Sequence, residues 1–190
     1  MEPDLQRDLT PRADVLHLIH SLDHLKITFL GAAKQWQLLD ADTGDVPAEP
    51  SYTELLQHAV DAQDLSRDVV RLAADFARSP HSTNCAGHAV LAHLATAATM
   101  SSHAAPHFAE TAETALSLSR AAGPITRRYR GNSMVIDHAT ARAYLRRTSE
   151  SLGEAAKELH AHLDLHRFLP APAQQAVPAP PSPPPNARHR

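Results

Sequence analysis

Leu145, Leu152 and Leu159 recur every seven residues, and this spacing constrains the fold more than any other feature of the chain. A seven-residue apolar repeat is close to two helical turns, so the three side chains align into a seam that must meet another helix. Ala141, Ala156 and Leu163 fill positions beside it. His138 and His166 extend the same register at the two ends and read as part-buried end residues, so a helix is predicted over 133–169. Composition supports the same class of fold. The chain has 34 Ala and 23 Leu, both strong helix formers, but only six Gly and eight aromatic residues, too few for a sandwich or barrel.

Earlier segments carry further helix signals. Thr10-Pro11 suits a helix start, with Thr as N-cap and Pro at the first helical position. Val15, Leu18, Ile19, Leu22, Leu25, Phe29, Ala33 and Trp36 then fall in one stripe, predicting a helix over 11–39. "SYTE" at 51–54 is a capping box, with Ser51 as N-cap and Glu54 reaching back. The helix after it changes phase: Tyr52, Leu55, Leu56 and Ala59 share one face, and Leu65, Val69, Leu72 and Phe76 another roughly 120° away. Supercoiling accounts for only about 20° per heptad, so a kink is expected near 62–64.

Between Ser79 and Ala109 there is no Asp, Glu, Lys or Arg. The span has too few large apolar residues to cross a membrane, which takes about 20 predominantly apolar positions. It reads as a central helix, about 83–102, packed on several sides. Pro106 should open another helix to about 122, with Phe108, Ala112, Ala115, Leu116 and Ala122 inward, ended by Gly123-Pro124. "GPITRRYRGN" then reads as a loop. Eight of the sixteen residues from 170 to 185 are Pro, a polyproline-like tail. The expected architecture is all-α: an antiparallel bundle of four to five helices over 10–169, a disordered 1–9, and a disordered Pro-rich 170–190.

The single Cys85 excludes an internal disulfide. The acidic start "MEPDLQRDLT" has no basic n-region or apolar h-region, so a cytoplasmic location is expected. Lys is rare and Arg abundant, as in chains from GC-rich genomes, and the 14 His belong partly to that background.

Candidate chemistry is sparse. His17, His20 and His24 lie at roughly 200°, 140° and 180° around the first helix, against about 340° for its apolar stripe. They should face away from the core, with no carboxylate obviously placed to support a metal. His81, Cys85 and His88, at i, i+4, i+7, offer thiolate and imidazole ligands to zinc, with His103 or His107 as a fourth; packing or capping are the competing roles. His162 and His166, one turn apart, are weaker still.

The arginines say most. Residues 1–80 carry 7 basic and 14 acidic side chains, whereas 120–147 carry seven Arg against Asp137 alone. Arg127, Arg128 and Arg130 flank Tyr129 in the expected loop, and Arg142 and Arg146 lie one turn apart beside the Leu seam. Guanidinium forks suit phosphate and carboxylate. A nucleic-acid or anion patch is therefore one reading, although a pI near 6.5 is low for a dedicated nucleic-acid binder. No nucleophile elbow, dinucleotide fingerprint, P-loop or H-E-x-x-H is present.

These features predict a non-catalytic scaffold or adaptor without a cofactor, binding a protein partner through Arg127, Arg128, Tyr129, Arg130, Arg142 and Arg146, the His stripe or the tail. The alternatives are a nucleic-acid or phosphate-binding accessory protein using the patch at 127–147, and a zinc protein using His81, Cys85 and His88. A homo-oligomer fits the same surfaces.

Overall fold

The computed structural model describes residues 12–39, 50–118, 120–121 and 123–168, without the side chains of 12 and 166–168. Within them lie four α-helices: α1 (Arg12–Gln35), α2 (Tyr52–Arg78), α3 (Cys85–Leu118) and α4 (Pro124–Phe168), with a 3-10 turn at Pro80–Thr83 joining α2 to α3. No strand occurs among them. The Thr10-Pro11 start, the 1–9 segment and the Pro-rich 170–190 lie outside the described residues.

The helices run up, down, up, down. α3 packs on α2 and α4, α4 on α3 and α1, while α1 and α2 meet only slightly. One interior holds Val15, Ile19, Leu22 and Phe29 of α1, Val69 and Phe76 of α2, Val90, Leu94 and Phe108 of α3, and the Leu145–Leu152–Leu159 seam of α4. Leu38, Leu55, Ala112, Ala115, Leu118 and Met134 form a second cluster at one end. Leu38 lies past the end of α1, which stops at Gln35 and not at 39, so the chain turns inward there to cover that cluster.

α2 does not break near 62–64: it is one continuous helix from Tyr52 to Arg78. Its buried line runs Leu55, Ala59, Ala62, Ser66, Val69, Phe76, a continuous heptad whose small members carried no apolar signal. Tyr52 and Leu56 are exposed instead. Ser66 joins Ser101 of α3 by a buried hydroxyl bond of 3.1 Å, which satisfies both groups where helices approach closely. Ser51 caps α2 as expected, its Oγ accepting from the Glu54 N–H at 3.3 Å.

Pro106 opens no new helix: it sits inside α3, which is continuous for 34 residues. An interior Pro removes one backbone bond and crowds the preceding turn, a cost of roughly 3 kcal/mol in isolation. Here the ring faces solvent, while Ala104, Ala105 and Phe108 on the same turns are buried, and packing on α2 and α4 outweighs the local penalty. Leu116, expected inward, is exposed.

"GPITRRYRGN" is not a loop. Pro124 is the first residue of α4, the position where its fixed φ and missing N–H are harmless.

α3 begins under Asn84, whose Oδ1 accepts from the Gly87 N–H at 2.7 Å. A Cβ on Gly87 would stand 2.0 Å from the His81 carbonyl oxygen, so the 3-10 turn lies directly on the first turn of α3. Gly87→Ala must push backbone from backbone, and we expect a loss of roughly 1–3 kcal/mol in urea unfolding. Wild-type stability in that variant would show that the turn is free to move.

Candidate functional site

Antiparallel packing brings one residue from each helix, or from its edge, to an aromatic cluster. Trp36, just past α1, stacks on His58 of α2 (centroids 4.8 Å, planes at 12°) and meets Phe108 of α3 edge-on at 5.2 Å. Phe108 also contacts His58 at 5.8 Å and His138 of α4 at 5.3 Å. The two imidazoles lie 6.4 Å apart. His138 is 2% exposed, so it is a central core residue and not the part-buried end residue its register suggested; the side chain of His166 lies outside the described set. Nδ1 of His58 and Nε2 of His138 are buried with no hydrogen-bond partner among the described residues. Burial pulls the His138 pKa down to about 4, helped by Arg142 and then His58. His58 is lowered by burial too, against a weaker opposing pull from Asp61 and Glu54. Both rings are therefore neutral at pH 7 and behave as aromatic core.

The predicted arginine patch divides. Arg142 Nε donates to the Ala33 carbonyl at 2.7 Å, and Arg130 donates to the Ser117 carbonyl. These carbonyls lie in the last turns of α1 and α3, the negative ends of those helices, where a cation is favoured. Arg130 and Arg142 thus cap neighbouring helices, and the Arg142 pKa is lowered by that burial and by Arg146. Arg127, Arg128, Tyr129 and Arg146 are exposed. Along one outer line of α4 stand Ile125 at 85% exposure, Tyr129 at 76% and Ile136 at 64%, positions i, i+4 and i+11. Sequence reasoning missed the two isoleucines, although their helical spacing was visible once 124–132 is read as helix.

His17, His20 and His24 are exposed. His20 and His24 border an open groove between α1 and α2 that Leu25, Asp68, Arg71, Leu72 and Asp75 also line. A second open groove continues between Trp36 and Asp61. Cys85 and His88 are exposed and His81 half-buried, and the three bring no common ligand point together among the described residues. One place there does gather metal-ligating atoms: His107 and Glu110 of α3 with Asp137 of α4.

No family model matches the chain, nor does any curated protein or solved structure. Its class rests on the fold alone: an antiparallel four-helix bundle with one unusually long final helix. No described helix is long and apolar enough to cross a membrane.

Proposed function

We propose that the protein is a non-catalytic scaffold that docks an acidic protein partner on the outer face of the first half of α4. The observation that carries this reading is the line Ile125–Tyr129–Ile136, three large apolar side chains more than three-fifths exposed on one helix face, with Arg127 and Arg128 beside them. Interfaces concentrate Tyr, Arg and aliphatic anchors in this way, and the guanidinium groups favour carboxylates on the other side. The first turn of α4 holds no acid, so the exposed basic character of this face is not offset there. The nucleic-acid alternative loses ground because Arg130 and Arg142 are spent on helix carbonyls.

The test is a photo-crosslinking amino acid at position 129 of the full chain in its own cells. A discrete protein adduct with an acidic surface is expected, lost when Arg127→Glu and Arg128→Glu are combined. An adduct to nucleic acid, to a second copy of this chain, or to nothing would reject the proposal.

A further inference from the structure

We infer that His107, Glu110 and Asp137 form a binding site for a divalent first-row metal ion on the α3–α4 seam. One ligand atom from each lies within 4.8 Å of the others, a spacing that a single ion can bridge with small rotamer changes. Helical geometry supplies two of them: His107 and Glu110 are three residues apart on one face of α3, with Nδ1 and Oε2 2.9 Å apart. Antiparallel packing brings Asp137 from α4, on the same turn as the inward-facing His138. The surroundings hold these groups in place. The Tyr144 ring stacks on His107 with planes at 10°, and Ser133 Oγ reaches Asp137 Oδ2 at 3.5 Å, the kind of outer contact that orients a ligating carboxylate.

The charges gathered there bear on the same point. Several acids elsewhere in the bundle pair with a cation one turn away on their own helix: Asp64 with Arg67, Asp68 with Arg71, Asp75 with Arg78 and Glu154 with Lys157. Glu110 and Asp137 have no Lys or Arg three or four residues away in either direction, which is true also of Glu54, Asp61, Glu113 and Glu158, but among the described residues only these two are gathered with each other and an imidazole. Two carboxylates are thus brought together across a seam with only an imidazole between them. A divalent cation resolves that repulsion. One nitrogen and two oxygens, with positions left for water, match the harder first-row ions such as manganese(II), and zinc(II) as well. With the ion on Nδ1, the ring proton resides on Nε2. This site is distinct from His81, Cys85 and His88 and does not depend on the docking face of α4.

Manganese(II) is the probe of choice, because surface imidazole pairs such as His20 and His24 favour zinc. Titration of the full chain, followed by the electron paramagnetic resonance of free manganese, should show one ion bound per chain and selective broadening of the Tyr144 ring signals in proton NMR. Glu110→Gln, at an exposed position, and Asp137→Asn should each weaken binding by roughly tenfold or more without changing the circular dichroism. His20→Ala with His24→Ala should leave it intact. The inference fails if no manganese is taken up at about 1 mM, the weak end for oxygen-ligand sites, or if the two carboxylate variants bind as wild type does.

Discussion

Lowering the pH from 6.5 towards 4 should destabilise the bundle by about 3 kcal/mol through His138 alone. In the unfolded chain this imidazole takes up a proton near its ordinary value of 6.5, whereas in the folded protein it does so only at about 4. Between those limits the unfolded state binds a proton that the folded state refuses, so every step towards acid favours unfolding. Above 6.5 the contribution is flat, and below about 4 it is complete. His58, depressed in the same direction, adds to the loss. Urea midpoints at pH 7.0 and 4.5 measure the effect, and His138→Leu isolates it. The leucine fills a similar volume and does not titrate, and it removes a buried nitrogen without a partner among the described residues, whose desolvation costs roughly 1–3 kcal/mol. The variant should match or exceed wild type at pH 7 and lose less than half as much on acidification. Equal slopes in the two proteins would mean that His138 is hydrated in solution.

Legibility from the sequence followed the size of the side chains. Leu145, Leu152 and Leu159 announced α4 because large apolar residues at a fixed spacing leave one arrangement to adopt, and all three are buried. The α2 seam was misread because Ala62 and Ser66 carry it through the middle; small residues are buried by close helix approach, which linear hydrophobicity does not register. Pro106 and Pro124 look alike locally, yet one rides inside a helix and the other begins one. Tertiary packing decides the first, but the N1 preference of proline was available for the second. Among the arginines, the sequence marked the charge concentration but not its division. Whether a guanidinium caps a neighbouring helix or faces outward depends on which carbonyls the partner helix presents. His107 and Glu110 were readable as an i, i+3 pair, but Asp137 appeared only as the lone acid in a basic stretch until the α3–α4 register placed it opposite them.

Phe108→Ala should cost about 4 kcal/mol at pH 7, a large share of the roughly 5–15 kcal/mol that holds a domain together. Phe108 is fully buried, and its ring meets Trp36, His58 and His138 at 5.2, 5.8 and 5.3 Å. Truncation therefore leaves a cavity where three helices converge and removes edge-on ring contacts worth roughly 0.5–1.5 kcal/mol each. Phe108→Leu, which keeps most of the volume, should lose less than about 1.5 kcal/mol. The cavity left by alanine differs from an ordinary apolar void because Nδ1 of His58 and Nε2 of His138 border the same cluster. A void with polar partners admits water, whereas a purely apolar one stays dry. Water there would hydrate both rings and return their titration towards 6.5, so Phe108→Ala should be less stable than wild type at pH 7 yet less sensitive to acid. Urea unfolding at pH 7.0 and 4.5, with NMR titration of the two histidine C2 protons, reads both halves of that expectation. A destabilised variant that keeps the wild-type acid slope would place the barrier to protonation elsewhere than in the packing of Phe108 against the two imidazoles.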